Sequence, residues 1–188
     1  MTISSIQQFI NKPIVHVCDP VFLLNCEVWR ELYRSHTKHF HHGKYVLVYP
    51  MAKGGDTTIA KAYFLSKQLG YPLYMISASQ RRDSRIDKRF NVDPYTFLSL
   101  VDNAEYVVTN SFHGTSFSII FEKQFWSCIA EGTNQRLTNI LCLASLENRL
   151  LTDDSLPIID EVVDFKMAKY NLSNYISQSK EFIESVCE

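Results

Sequence analysis

The 188-residue chain is most easily bounded by what it lacks. No window approaches the roughly 18 consecutive apolar residues that crossing a bilayer requires. The first twenty residues have neither a basic region nor a long apolar stretch, so export and membrane insertion are not expected. No Cys-x-x-Cys occurs; the five cysteines (Cys18, Cys26, Cys128, Cys142, Cys187) are odd in number and not closely paired. They read as reduced thiols, several within hydrophobic runs, which suits a cytoplasmic setting. Charge of one sign is also missing: 19 basic and 20 acidic side chains leave a net charge of -1. Nothing global therefore favours nucleic acid or an anionic membrane, and any anion preference must be local. There are no repeats and no low-complexity tract. With 46% apolar content and 21% charged residues, the chain has enough material for one ordinary core and reads as a single α/β domain over 1–188.

What is present is an alternation of short apolar runs and helix-like periods. Ile14 to Cys18 is apolar and stops at Asp19-Pro20, after which Leu24, Val28, Trp29 and Leu32 recur at helical spacing. Tyr45 to Tyr49 is a strand ended by Pro50. Gly54-Gly55-Asp56 then offers an N-cap to a helix closed by Gly70. Leu73 to Ile76 is the next strand, and Ser77 to Asn91 reads as a long polar segment. Asp93 caps a short helix from Pro94. Glu105 to Thr109 is a third strand, Thr115 to Phe121 a helix, Phe125 to Ile129 a fourth strand and Gln135 to Leu146 an amphipathic helix. Residues 152–188 form a C-terminal extension with a closing helix over Asn174 to Val186. Strands separated by helices imply a Rossmann-like, mostly parallel sheet flanked by helices on both faces.

The densest polar signal lies in Val107-Val108-Thr109-Asn110-Ser111-Phe112-His113-Gly114-Thr115. A strand entering such a turn presents reactive groups at the carboxyl edge of a parallel sheet. Gly114 admits close backbone approach, and the following helix aims free N–H groups at the same space. Ser111, Thr115 and Ser116 add hydroxyls, and His113 is the one neighbouring side chain suited to proton transfer near neutral pH. The same residues could simply cap a helix, with His113 bonded to a backbone carbonyl, and the local pattern leaves both readings open. Two further clusters lie near that edge. Arg81, Arg82 and Arg85 follow the second strand, with Lys88 and Arg89 beyond, and a guanidinium fork there would grip a carboxylate or phosphate; a solvated loop balanced by Asp83 and Asp87 is the plainer reading for most of them. Arg136, between the fourth strand and its helix, is a stronger ligand candidate than Arg89.

Other chemistries find less support. Gly54-Gly55-Asp56 is not a complete phosphate loop, because no Gly-Lys-Ser/Thr follows. His36, His39, His41 and His42, in the His-rich loop 35–44, lack the cysteines or carboxylate of a structural zinc site, and no metal is expected. Ser111 and His113 do not form a strand-turn-helix hydrolase nucleophile. The 12 Phe, 10 Tyr and 2 Trp trace no nucleic-acid path and read mostly as core.

The run from Asn103 through Ile120, Asn-Ala-Glu-Tyr-Val-Val-Thr-Asn-Ser-Phe-His-Gly-Thr-Ser-Phe-Ser-Ile-Ile, resembles the central motif of the polysaccharide pyruvyl transferase family. Asp19-Pro20-Val21-Phe22-Leu23-Leu24 with Trp29, then Arg136 with Ile140-Leu141, then Leu146-Glu147-Asn148-Arg149-Leu150 follow in the expected order. The resemblance covers roughly Ile14 to Leu151. Gln124 stands where a Pro before Phe is usual, and Ser145 where Gly commonly precedes the Leu-Glu pair.

That resemblance implies one half of a fold similar to the two-domain B-type glycosyltransferases, here the C-terminal half, with the N-terminal domain as its missing partner. It implies transfer of the enolpyruvyl group of phosphoenolpyruvate to a sugar diol, forming a pyruvate ketal in polysaccharide biosynthesis. Phosphoenolpyruvate is then the donor, no separate cofactor is needed, and the acceptor is a saccharide or lipid-linked saccharide. The latter would allow peripheral contact with a membrane. On this premise His113 is the catalytic residue. Arg136 and one of Arg82 or Arg85 hold carboxylate and phosphate, while Asn110, Ser111, Gly114 and Thr115 shape the anion pocket. A nucleotide-sugar-dependent transferase and a non-catalytic binding or scaffold module are the alternatives; binding of phosphoenolpyruvate against nucleotide sugars separates the first, and absence of turnover with any diol acceptor would favour the second.

Overall fold

The computed structural model describes residues 14–37, 43–51, 53–78, 82–129 and 135–187. His39, His41 and His42 of the His-rich segment, Arg81, and the residues just before Gln135 lie outside these. Six parallel strands form one sheet: β1 Val46–Tyr49, β2 Leu73–Ile76, β3 Lys88–Phe90, β4 Tyr106–Thr109, β5 Gln124–Cys128 and β6 Leu150–Leu151. Their order is β3-β2-β1-β4-β5-β6, so the chain direction across the sheet reverses between β1 and β4. Ligands of such sheets gather beyond the carboxyl ends of the strands at that reversal.

The central strands are short continuous apolar runs because both faces are covered. Successive side chains point to opposite faces. Leu47, Val107 and Phe125 therefore join one core, where they meet Leu98, Leu100 and Val101 of α3 (Pro94–Asn103), Phe117 of α4 (Phe112–Ile120), Leu137 and Leu141 of α5 (Gln135–Leu143), and Leu172 of α6 (Phe165–Cys187). Val46, Val48, Val108 and Trp126 face the other way, onto Ile59, Ala62 and Leu65 of α2 (Gly55–Leu69). Helices do lie on both faces, but α2 holds one side while most of the others hold the opposite one.

Several boundaries differ from the sequence expectation. The segment Ser77 to Asn91 contains an edge strand, β3, whose Lys-Arg-Phe composition carries no strand pattern; its pairing comes from backbone bonds such as Ser77 N–H to the Phe90 carbonyl. The two-residue β6 is equally unreadable locally. Ile14 to Cys18 adopts no regular secondary structure, and the Cys18 N–H instead bonds Ser179 Oγ of α6 at 2.9 Å. A 3-10 turn, Pro20–Leu23, precedes α1 (Cys26–Arg34), dividing the helix expected there. The N-cap of α2 does fall in the Gly54-Gly55-Asp56 run, at Gly54, left-handed at φ 73°, with Asp56 inside the first turn. α6 begins at Phe165, nine residues before the expected start, because Asp164 Oδ1 accepts the N–H groups of Lys166 and Met167. Among the described residues no helix is long and apolar enough to cross a membrane, no cluster suits a metal ion, and all five cysteines are free.

A buried carboxylate fastens α1 to α3. Asp102 accepts Arg30 Nε and Nη2, each at 2.9 Å, and the Tyr33 hydroxyl at 2.7 Å. Burial alone would raise the Asp102 carboxyl, but these bonds outweigh it and hold the group below the usual carboxylate range. Burial, followed by the bond to Asp102, pushes the Tyr33 phenol up to about 12. A depressed folded-state value contributes stability that is present above the unfolded value, about 3.9, and is lost as pH falls through the folded one. Asp102→Asn is thus expected to destabilise the protein near neutral pH, with the gap to wild type narrowing below about pH 4. Urea midpoints measured from pH 7 to 3 test this, and a gap constant across that range would exclude Asp102 as an acid-sensitive element.

Candidate functional site

β1 and β4 end in register, Tyr49 beside Thr109. Thr109 Oγ1 donates to the Tyr49 carbonyl at 2.7 Å and accepts the Ser111 N–H at 3.0 Å, fixing where the chain leaves the sheet. Buried Asn110 spends its whole amide on the β1–α2 loop: Oδ1 accepts the Met51 N–H at 2.6 Å and Nδ2 donates to the Lys53 carbonyl at 2.7 Å. Ser111 Oγ caps α4 through the Gly114 N–H.

Because α4 starts at Phe112 rather than Thr115, Gly114 and Thr115 occupy its buried first turn and not a ligand-facing loop. Thr115 Oγ1 shares a 2.7 Å bond with Ser127 Oγ on β5. A Cβ on Gly114 would fall 2.5 Å from Thr109 Oγ1, so this glycine serves helix-to-strand packing. The side chains of Asn110, Ser111 and Thr115 thus have protein partners. They hold the loop and helix that carry the exposed neighbour.

That neighbour is His113, the second residue of α4, with its side chain 54% exposed and Nε2 3.9 Å from Asp19 Oδ1. Asp19 also accepts Arg136 Nη2 at 2.6 Å through Oδ2, while the Arg136 guanidinium lies over the Phe112 ring at 4.2 Å. One carboxylate therefore stands between the imidazole of α4 and the guanidinium of α5. Asp19 itself is fixed by the 3-10 turn, where its Oδ1 accepts the Val21 N–H. A cleft of about 180 Å³ opens here, with His16, Asp19, Phe112, Arg136, Asn139 and Tyr175 on its walls. The Tyr175 hydroxyl meets His16 Nδ1 at 2.9 Å, and burial raises the Tyr175 phenol above its ordinary range. Guanidinium, imidazole and hydroxyl groups around so small a space can hold an anion and move a proton.

Sequence reading singled out His113 and Arg136 but passed over Asp19 and Tyr175. Asp19-Pro20 is legible as a turn and as the start of a family-like run to Leu24, but neither assigns Asp19 a site role, and its partner Arg136 is 117 residues away. Tyr175 sits in a helix whose expected span was right there but whose tertiary position no local pattern reveals.

Arg82 and Arg85 lie elsewhere along the same carboxyl edge, in a second cleft of about 500 Å³ with Met51, Gly55, Asp56 and Arg89. No lining residue is common to the two clefts, so these arginines are not joined to Arg136. Arg85 is also engaged by Asp83, its Nη2 2.6 Å from Oδ2 and its Nε 2.9 Å from Oδ1. That bond, opposed only partly by burial, pushes the Asp83 carboxyl down to about 2.

Comparison with curated proteins and with solved structures yields no match. The family model for polysaccharide pyruvyl transferases matches residues 4–132, a span that contains Asp19, both strands at the sheet reversal and the whole of α4. With more than two thirds of its length so matched, the chain belongs to the polysaccharide pyruvyl transferase family.

Proposed function

We propose that this chain supplies the donor-binding half of a two-domain transferase related to the B-type glycosyltransferases. The transferase moves the enolpyruvyl group of phosphoenolpyruvate onto two hydroxyls of a saccharide or lipid-linked saccharide. The single observation that carries the reading is the Asp19 carboxylate standing between His113 and Arg136 at the carboxyl edge of the sheet.

In the reaction, His113 gives a proton to the methylene carbon of phosphoenolpyruvate, turning it into a methyl group. Positive character builds at the adjacent carbon, where a sugar hydroxyl adds and loses its proton. The bond from that carbon to the phosphate ester oxygen breaks, phosphate departs, and the second hydroxyl closes the ketal, giving its proton to the departing phosphate. Arg136 holds the donor carboxylate through its fork, which sets the distance to His113. Asp19 orients both groups, and the packed Asn110–Thr115 segment fixes the backbone beneath them.

Arg136 is two-thirds exposed, so its removal tests binding without threatening the fold. Arg136→Ala is expected to weaken phosphoenolpyruvate binding to the full chain about 10-fold or more, the scale of a lost hydrogen bond to a charged group, with the melting temperature unchanged. Calorimetric titration reads this directly. Unchanged affinity would sink the clamp, and tighter binding of nucleotide sugars than of phosphoenolpyruvate would favour a glycosyltransferase-like activity instead.

A further inference from the structure

The cleft containing Arg82 and Arg85 is left without a part in donor binding by the assignment above, and its chemistry differs from that of the cleft lined by Asp19 and Arg136. It is nearly three times as large, about 500 Å³ against 180 Å³. Three arginines, Arg82, Arg85 and Arg89, line it together with two aspartates, Asp56 and Asp83. Gly55 and Asp56 bring the first turn of α2 to its wall, and α2 has no side-chain cap, since Gly54 holds the N-cap position. The first N–H groups of that helix thus lack the side-chain acceptor that Asp93 and Ser111 provide to α3 and α4.

A ligand that is only an anion would find the two carboxylates repulsive. A ligand that pairs anionic oxygens with hydroxyls uses both sets: guanidinium and helix N–H groups for phosphate, carboxylates for sugar hydroxyls. The size of the space and the number of arginines suit two phosphates better than one.

We propose that this second cleft binds a sugar diphosphate ester, which under the transferase reading is the anionic end of the acceptor. Arg82 contacts the diphosphate directly, and Arg89 lines the same cleft. Arg85 joins them only in competition with Asp83, whose carboxylate already occupies its fork. Asn110 lies between the two sites: its amide is bonded to Met51, which lines the diphosphate cleft, and its chain continues through Ser111 and Phe112 to His113. Acceptor and donor would therefore meet at the reversal between β1 and β4.

The test uses the full chain, inorganic pyrophosphate and phosphoenolpyruvate as probes, and calorimetry alongside the amide resonances of Gly54 and Gly55. Pyrophosphate is expected to shift both amides. Arg82→Ala should weaken it about 10-fold, while Asp83→Asn, which frees Arg85 and retains an acceptor for the Arg85 N–H, should tighten it about threefold. Neither variant should alter phosphoenolpyruvate affinity, and the two probes should bind together. Mutual exclusion of the probes, or pyrophosphate affinity indifferent to both substitutions, would overturn the proposal. A nucleoside-diphosphate sugar and a short-chain polyprenyl-diphosphate sugar then distinguish the source, the tighter of two Arg82-dependent ligands identifying the carrier. If phosphoenolpyruvate fails to bind while pyrophosphate still shifts Gly55, the donor assignment falls and this cleft stands.

Discussion

Replacement of His113 by Gln in the intact transferase is expected to lower turnover about 10²- to 10⁴-fold, the range attributable to one positioned acid or base. The side chain is more than half exposed, and its nearest charged neighbour, Asp19, stands at 3.9 Å, beyond hydrogen-bond length. The fold therefore draws little from His113, and its loss should be read in the chemical step. Phosphoenolpyruvate affinity should change far less than turnover, because the proposed arrangement gives the donor carboxylate to Arg136 and not to His113. Asp19→Asn separates positioning from proton transfer. It keeps an oxygen for the Val21 N–H but weakens the charge that draws Arg136 and His113 together. A drop of about 10-fold in kcat, smaller than that of His113→Gln, is the expected signature of a positioning carboxylate. Near-normal turnover in His113→Gln would remove the histidine from the mechanism whatever Asp19→Asn does.

The contrast between these residues shows which parts of the site are legible in a sequence. His113 stands out because it alone among its neighbours can move a proton near neutral pH, and Arg136 because a basic residue opens a helix after a strand. Asp19 does not, since an aspartate before proline is first a capping residue, and here it does cap a turn as well as bind Arg136. Similar limits apply to the fold. β1, β2, β4 and β5 were visible as apolar runs because they are buried from both sides. β3 has a basic, partly exposed composition suited to an edge, and only Phe90 of its three residues packs against the core, so no alternation marks it. The start of α4 was placed three residues late for a related reason. The glycine at 114 suggested a loop, whereas its lack of a side chain is used for contact between helix and strand. The membership of Arg82 and Arg85 in a cleft separate from Arg136 depends on strand order, β2 lying two places from β4, which spacing along the chain does not encode.

Gly114 gives the second large effect, this time on stability. An added methyl would meet Thr109 at 2.5 Å from Oγ1, 2.9 Å from Cγ2 and 3.0 Å from Cβ. Thr109 cannot swing away cheaply: it is β-branched, fully buried, and held through Oγ1 by the Tyr49 carbonyl and the Ser111 N–H. Either α4 lifts from the sheet or those bonds break. Overpacking of this kind costs about 1–3 kcal/mol, occasionally more, and Gly114→Ala should lower the melting temperature by roughly 3–10 °C for a chain of this size. The intrinsic preference of helices for Ala over Gly, about 1 kcal/mol, acts in the opposite direction and is outweighed by the clash. The cause is isolated by Thr109→Ala, which deletes the two closest atoms, Oγ1 and Cγ2, at the expense of the hydrogen bonds made by Oγ1. The double variant should be more stable than the sum of the single losses predicts, because the clash is then largely relieved. Strict additivity would show that contact with Thr109 is not the reason for glycine at 114. Since His113 precedes this residue on the same helical turn, the single variant should also lose activity at temperatures where it remains folded, and Thr109→Ala in the same chain should restore part of it.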